Sequence, residues 1–433
     1  MNGDRFPAVL AAQTHGRILA DNAAGAQLPD TALERVQHYL TYDNAQEGSI
    51  FARTRATSDL VAEAKAEFAE LVDVPVDRVG IGPNATTIAM NFARLLACTV
   101  VRGDRIIVTA ADHEANVAPW LWLRRFGAQV DVLPVDAHGN LDEAKYAAFL
   151  ARGPRLVALP WASNATGTVF DVARLAREAK TAGALVVVDG VQALPHFALE
   201  IDSAIDFVFF AAYKLYAPHV GFWVASARAL ERYVRADDEH VPGGDARYWT
   251  LECGTQSHEA LAGWLGTMAY FRDVAATPRL ALEVIARHEF ELSRYARERF
   301  AERAPQVRLY GRPPASARLP VFAFNVPGVA TDELAERFEV AHIEGRSGDY
   351  YSPRLMRALA AEADGRAVRL SFAQYNTTEE IDRCFDVLDT VLGRARESEG
   401  ADAAADGAAD GVADADADAD ANRETSDSAQ TAR

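Results

Sequence analysis

Two charged side chains stand beside apolar runs, where they could serve a buried reaction centre. Asp189 directly follows the run 185–188, and Lys214 follows the run 207–210 by a few residues. Ligands of open α/β sheets bind at the carboxyl ends of strands, so we expect both side chains to face one crevice. Burying a lone ammonium group costs several kcal/mol. Condensation with an aldehyde as a Schiff base removes that cost. A lysine that extends to solvent or pairs with Asp189 avoids it equally well, and the spacing alone favours neither.

Neighbouring residues supply the other groups that pyridoxal phosphate requires. This cofactor needs a lysine for its aldehyde, a carboxylate for its pyridine nitrogen, an anion site and a flat group against its ring. Thr86 and Thr87 begin a helical pattern, and free amides at a helix start bind phosphate. His113 follows the next predicted strand and could stack on the ring, although a histidine after a strand is also commonly a surface or hydrogen-bonded residue.

These residues are spaced along alternating strand and helix patterns. Continuous apolar runs separated by helices predict a mostly parallel sheet that is covered on both faces. The gap of ten residues before the last run contains Pro218, so we expect that strand to be able to run antiparallel. The predicted strands are 78–82, 105–109, 129–133, 156–159, 185–188, 207–210 and 221–225, and two of the helices are 86–98 and 172–181.

After Gly254 the pattern predicts a smaller α+β domain. A capping box, Thr377 to Glu380, begins its final helix. The predicted elements are helices 257–274, 278–304 and 332–338, a helix from 353, and strands 320–326, 341–344 and 367–372. The domain prediction is an N-terminal segment packing on the small domain (1–20), a large cofactor domain (21–256), the small domain (257–396) and a disordered acidic tail (397–433).

Composition excludes several classes of protein. The 433 residues are 49% hydrophobic and 24% charged with net charge −18, and residues 397–433 hold eleven acids against two arginines. That tail has no apolar face, so we expect disorder. The sequence has no stripe of basic residues of the kind that nucleic-acid binding requires, so we do not expect a nucleic-acid partner. Three distant cysteines predict neither disulfides nor a metal site. With no signal-like start and no membrane span predicted, since 207–225 is typical of two buried strands, we expect a cytoplasmic protein.

The order of the motifs resembles that of the class V aminotransferase family, on its cysteine-desulfurase-like branch. The similarity covers roughly residues 18–395 and implies the α/β fold of fold-type-I pyridoxal-phosphate enzymes, with a seven-stranded sheet. Each motif is weak alone, but nine in suitable order are specific. The motifs are 20–24, 54–57, Thr86-Thr87, His113 with Asn116 and Trp120, 163–168, 189–192, Lys214, Gly254-Thr255, and 369–371 before 375–377.

The resemblance implies cofactor roles for matching positions. Lys214 would form the Schiff base, Asp189 would pair with the pyridine nitrogen, and Gln192 would donate to the phenolic oxygen. His113 would stack on the ring as a catalytic residue. The remaining cofactor positions are Thr86, Thr87, Asn164 and, from a neighbouring subunit, Thr255.

The resemblance also implies a small amino-acid substrate and a homodimer with its sites at the subunit interface. Arg369 would hold the substrate carboxylate, a task suited to a planar bidentate donor. Asn164 and Arg346 would lie beside the substrate. The substrate amine would form an external aldimine, and Lys214 would move the α-proton.

Departures from the family pattern bear on the reaction. Tyr351 occupies the position of the desulfurase cysteine, and a phenol cannot accept sulfur as a persulfide. Tyr213 and Ala211 replace a usual histidine and serine, and Gln46 replaces a pocket histidine. Cys253 lies on another loop, and we expect it to be a small buried residue. Transamination or C–S/β-elimination is therefore predicted. The alternatives are a desulfurase using another thiol and a non-catalytic protein that binds the cofactor.

A competing motif lies at residues 80–85, which match a loose dinucleotide fingerprint. Asp104 stands at about the right distance but precedes a strand, so it is badly placed to reach a ribose. Pro83 also removes a phosphate-facing amide. A nicotinamide dehydrogenase is thus the weaker prediction.

Overall fold

A computed structural model describes residues 3–234, 251–313, 318–359 and 364–393. The predicted disordered tail, 397–433, lies outside these residues. The strands are β1 (Ile18–Leu19), β2 (Val79–Gly82), β3 (Arg105–Thr109), β4 (Gln129–Leu133), β5 (Leu156–Pro160), β6 (Leu185–Asp189), β7 (Phe207–Ala211), β8 (Gly221–Ala225), β9 (Arg308–Leu309), β10 (Val321–Asn325), β11 (Ile343–Glu344), β12 (Arg346–Gly348) and β13 (Ala367–Ser371).

The helices alternate with the strands through the first half of the chain and then lengthen. They are α1 (Pro7–Thr14), α2 (Asp30–His38), α3 (Ala52–Val72), α4 (Ala85–Ala97), α5 (Ala118–Trp122), α6 (Glu143–Leu150), α7 (Val172–Thr181), α8 (Ala227–Tyr233), α9 (His258–Val274), α10 (Pro278–Arg303), α11 (Thr331–Val340), α12 (Pro353–Ala358) and α13 (378–393).

The large sheet has seven strands in the order β2-β8-β7-β6-β5-β3-β4. Strand β8 runs antiparallel to both of its neighbours, and the other neighbouring pairs are parallel. This confirms the predicted α/β class. Chain order reverses between β3 and β5, so their carboxyl ends open a crevice of the kind that binds ligands.

Helices cover both faces of the large sheet, which explains its continuous apolar strands. On one face, the ring of Phe92 in α4 lies 4.3 Å from that of Phe207. On the other, Phe68 of α3 stacks on Phe222 with ring centroids 4.4 Å apart. Truncating a buried phenylalanine such as Phe68 to alanine costs about 3–5 kcal/mol.

The C-terminal half forms a separate antiparallel sheet in the order β12-β13-β10-β9, which packs against α10. The aromatic ring of Phe300 from α10 contacts Phe322, Phe324 and Phe385. Strand β1 pairs in parallel with β11, which joins the N-terminal segment to this half.

The capping box of α13 is confirmed. The amide of Glu380 donates to the hydroxyl of Thr377 at 3.2 Å, and the amide of Thr377 donates back to the Glu380 carboxylate at 3.3 Å. These bonds satisfy amides that a helix start leaves free.

Among the described residues, no helix has both the length and the apolarity to cross a bilayer. The apolar stretch 207–225 instead forms β7 and β8, which are buried throughout.

Candidate active site

A small pocket with a cavity volume of about 50 Å³ lies at the carboxyl edge of the large sheet. Its walls come from the segments that follow β2, β3, β5, β6 and β7. Six residues predicted from the sequence line it: Thr86, His113, Asn164, Asp189, Gln192 and Lys214.

Lys214 ends a short 3₁₀ turn after β7 and is only 8% exposed. This excludes the interpretation in which it extends to solvent. Its Nζ donates to Oε1 of Gln192 at 3.1 Å. Burial lowers the pKa of Lys214 to about 8, and the charge of Arg369 contributes, while Asp189 opposes the shift. A fraction of the amine is therefore unprotonated near neutral pH, as nucleophilic attack and proton abstraction require.

Asp189 is the last residue of β6 and is buried. Its Oδ1 accepts a hydrogen bond from the Val191 amide at 2.9 Å. Burial raises the pKa of Asp189 to about 6, although that hydrogen bond and Lys214 both act to lower it. A carboxylate that lines a buried pocket is a suitable partner for a protonated ring nitrogen.

His113 follows β3, and its Nδ1 accepts a hydrogen bond from the Ala115 amide at 3.0 Å. The ring proton therefore lies on Nε2. Burial, with smaller effects from Lys214 and Arg369, lowers the pKa of His113 to about 3. The imidazole is neutral at physiological pH and presents a flat surface to the pocket.

The start of α4 forms the end of the pocket that suits an anion. Thr86 lines the wall, while Asn84 caps the helix by accepting a hydrogen bond from the Thr87 amide at 2.8 Å. Thr87 itself lies outside the pocket lining, and its amide is already satisfied. Thr255 is exposed and also lies outside this lining. Within this chain, Thr86 and the helix terminus are therefore the groups at this end of the pocket that suit an anion.

Arg369 lies beside the pocket and is already engaged. It is 1% exposed, and it donates to Asp21 Oδ1 at 2.7 Å and to the carbonyl of Asn164 at 2.9 Å. Arg346 donates to the other oxygen of Asp21 at 2.8 Å. One carboxylate between two guanidinium groups leaves a net positive charge, which suits a substrate carboxylate.

A loop at 349–352 packs against two residues that line the pocket, Asn164 and His113. The Asn164 amide donates to the carbonyl of Tyr350 and accepts from the hydroxyl of Ser352, both at 2.8 Å. Tyr350 and Tyr351 both have φ of 57°, a left-handed conformation that is unfavourable for bulky residues. The ring of Tyr351 lies 5.6 Å from that of His113, so the phenol stands at the entrance.

Asp112 is a pocket residue for which the sequence predicted no role. Its Oδ2 accepts hydrogen bonds from Thr109 and Asn116, each at 3.2 Å. Its Oδ1 is buried without a hydrogen-bond partner in the described part of the chain. Burial and the charge of Asp189 raise the pKa of Asp112 well above its usual range. Its position after β3, next to His113, was the available signal.

The structure also bears on two further predictions, those for the glycine-containing run 80–85 and for Cys253. A Cβ at Gly80 would come within 2.0 Å of Trp223, so packing in β2 requires this glycine of the dinucleotide-like run 80–85. The expectation that Cys253 is buried is wrong, because its loop leaves the thiol exposed.

The lining of the pocket supplies each type of group that pyridoxal phosphate requires. It combines a buried amine with a lowered pKa, a buried carboxylate, a neutral flat ring and a helix N-terminus. Among the described residues, no group of three or more acidic, histidine or cysteine side chains could hold a metal ion.

Known proteins are similar to this chain along almost its whole length. The sequence model of the Aminotransferase class-V family matches residues 18–384. An aminotransferase-like protein of Gibberella zeae is 30% identical over 400 residues, which cover 90% of this chain and 97% of that protein. A cysteine desulfurase of Dickeya dadantii is 31% identical over 402 residues, which cover 87% and 93%.

Solved structures confirm the predicted fold class. The apo cysteine desulfurase of Thermococcus onnurineus superposes with a TM-score of 0.79 at 23% identity, covering 90% of this chain and 97% of that one. The cysteine desulfurase CsdA of Escherichia coli gives a TM-score of 0.76 at 26% identity, covering 91% and 99%.

Proposed function

The chain belongs to the aminotransferase class-V family of pyridoxal-phosphate enzymes and is similar to cysteine desulfurases, and we propose that it acts at the α-carbon of a small amino acid. The reactions we propose are transamination and C–S/β-elimination. The observation that carries this proposal is the buried amine of Lys214, whose pKa is lowered to about 8, in one pocket with Asp189.

Each side chain of the site has a proposed role that follows from its chemistry. Bound pyridoxal phosphate supplies an electron-accepting ring that stabilises negative charge at the substrate α-carbon. Asp189 would hold a proton at the ring nitrogen, and the amine of Lys214 would move the α-proton as a general base. His113 packs against the ring without adding charge. Thr86 and the start of α4 hold the phosphate.

Arg369 is the proposed site for the substrate carboxylate, with Asn164 and Arg346 beside it. The positive charge that remains around Asp21 supports this role.

Desulfuration is the second candidate, supported by the similarity to desulfurases and the exposed thiol of Cys253. We favour transamination or elimination because Tyr351, at the pocket entrance, has no thiol. A panel of amino acids assayed together for keto acid, ammonia and sulfide separates these reactions. Sulfide or persulfide from cysteine that disappears in Cys253→Ser would favour the desulfurase. A cofactor spectrum unchanged by every amino acid would favour a non-catalytic binder.

Lys214→Ala tests the proposal directly. We expect loss of the visible absorbance of the bound cofactor, no mass gain after hydride trapping, and turnover reduced by at least about 10³-fold, because both covalent attachment and the base are removed. Lys145→Ala is the matched control, since that side chain is 58% exposed. Wild-type turnover in Lys214→Ala would contradict the mechanism.

We further propose a homodimer that completes the site. The segment before α3 exposes Tyr42, Ile50 and Phe51 by 64, 79 and 71%, and such apolar exposure is typical of an interaction surface. Thr255 is exposed and available to a neighbouring subunit. Light scattering should give twice the chain mass of 47.0 kDa.

A further inference from the structure

A chain of buried hydrogen bonds leads from the pocket to the small domain. Gln192, which accepts from Lys214, has its Nε2 3.2 Å from Nε2 of His196. Nδ1 of His196 lies 2.5 Å from Oε2 of Glu289, and the hydroxyl of Tyr216 donates to Oε1 of Glu289 at 2.9 Å. None of the five side chains is more than 8% exposed. Glu289 belongs to α10, whereas Gln192 and His196 follow β6.

With Oε1 of Gln192 accepting from Lys214, the chemistry of these groups sets one direction of donation through the chain. The NH₂ end of an amide can only donate, so Nε2 of His196 must accept from Gln192. The imidazole proton then lies on Nδ1 and is donated to Glu289. A carboxylate only accepts, and Glu289 also receives the Tyr216 proton. Every donor from Lys214 onward therefore points toward Glu289.

We propose that Glu289, acting through His196, is the positioning residue that determines which end of the Gln192 amide faces Lys214. This role deepens the proposed function and rests on it. If His196 carried its proton on Nε2, it would donate to Gln192 instead. The amide would then rotate by half a turn and set its NH₂ group against the Lys214 ammonium, donor against donor. A residue of the small domain thus controls which end of the Gln192 amide faces Lys214, although no described residue of that domain lines the pocket.

Charged and titratable groups act on both ends of the chain and are unchanged in the variant Glu289→Gln. Around Lys214 these are Asp189, Arg369, Asp21 and Arg346. Around Glu289 they are Tyr216, Tyr375 and His288.

The variant Glu289→Gln is nearly isosteric. Its amide oxygen accepts the hydrogen bond from the Tyr216 hydroxyl, so its NH₂ group faces His196 as a donor. His196 must then accept at Nδ1 and carry its proton on Nε2, and Gln192 must rotate. Lys214 loses a hydrogen bond that favours its charged form, so its pKa falls. The rate at which pyridoxal phosphate attaches to the full-length protein rises as the amine loses its proton. We expect the pH midpoint of that rate to fall by about one unit, the size of one hydrogen bond to a charged group.

Tyr216→Phe is the matched control, because it removes a donor to Glu289 but leaves the carboxylate and the His196 tautomer. Its midpoint should stay at the wild-type value. An unchanged midpoint in Glu289→Gln, or an equal shift in Tyr216→Phe, would overturn the proposed role. A wild-type protein to which pyridoxal phosphate does not attach would contradict the proposed function and this role together.

Nitrogen NMR of ¹⁵N-histidine-labelled protein identifies the tautomer of His196 and does not depend on activity. The variant His196→Gln is needed only to assign the signal. We expect His196 in the wild type to be protonated at Nδ1 and unprotonated at Nε2, with the two exchanged in Glu289→Gln. A wild-type His196 protonated at Nε2 or at both nitrogens would overturn the inference even if Glu289→Gln fails to fold.

Discussion

Charged groups are treated in opposite ways by the pocket and by the outer face of α10 and α13. In the pocket, Lys214, Asp189 and Asp112 are at most 8% exposed, and none forms an ion pair within 4.0 Å in the part of the chain that the structure describes. On the outer face, Arg303 pairs with Asp386 at 2.7 Å and with Asp389 at 2.5 Å, and all three side chains are partly exposed.

The difference shows where electrostatics supports chemistry in this protein. Burial without a close counter-charge shifts pKa values, as for Lys214 and Asp189, and makes the groups reactive at some cost in stability. Exposed pairs gain little, because water screens them and ordering long side chains costs entropy. The pocket therefore depends on each individual charge, while the outer face tolerates their loss.

Among the variants that compare the two regions, Asp189→Asn should have the largest effect. The amide can still accept the Val191 hydrogen bond but cannot hold a proton at the cofactor ring nitrogen, so we expect kcat/KM to fall about 10²–10³-fold. Thermal unfolding should show a Tm equal to or above that of the wild type, because a buried charge is removed. Asp386→Asn, the control on the outer face, should keep full turnover. Equal losses in both variants would remove the distinction between the regions.

Asp112→Asn should have an intermediate effect, visible in stability as a function of pH. The folded pKa of Asp112 lies well above the unfolded value, so the wild type loses stability as pH rises from the ordinary carboxyl range toward that folded pKa. The uncharged asparagine lacks this loss. In urea unfolding, the variant should exceed the wild type by on the order of 1–3 kcal/mol at pH 8, with the difference shrinking toward pH 4. A difference that grows on acidification has the wrong sign for this explanation.

The smallest effect should follow Arg303→Ala. Its carboxylate partners are 67 and 47% exposed, so the loss in unfolding free energy should not exceed about 1 kcal/mol and should shrink further in high salt. Turnover should be unaffected. A loss above about 2 kcal/mol in urea unfolding would show that this face, like the pocket, depends on an individual charge.

Local sequence predicted the elements that build the site with small errors. The predicted helix 86–98 begins at Ala85, because the Asn84 side chain caps it one residue earlier. The predicted run 185–188 extends to Asp189, which pairs with Phe209 in the sheet. Asp189, Lys214 and His113 could be singled out because each lies at the end of a strand or within a few residues after it, and strand ends are visible in a single sequence.

Contacts between distant segments could not be predicted in this way. Asp21 reaches Arg369 across 348 residues, and Glu289 reaches His196 across 93. No local pattern predicts the unpartnered oxygen of Asp112, because it arises from the packing of separate strands.

From the amino-acid order alone came the sheet, its helices, the family resemblance and the strand ends that carry the amine and the carboxylate, since apolar periodicity and turn residues act over a few positions. Tertiary structure decided which side chains share one pocket, how Arg369 and Gln192 are engaged, and how far the pKa values move. The reason is physical: desolvation and hydrogen-bond direction depend on every atom within a few ångströms, and those atoms come from segments hundreds of residues apart.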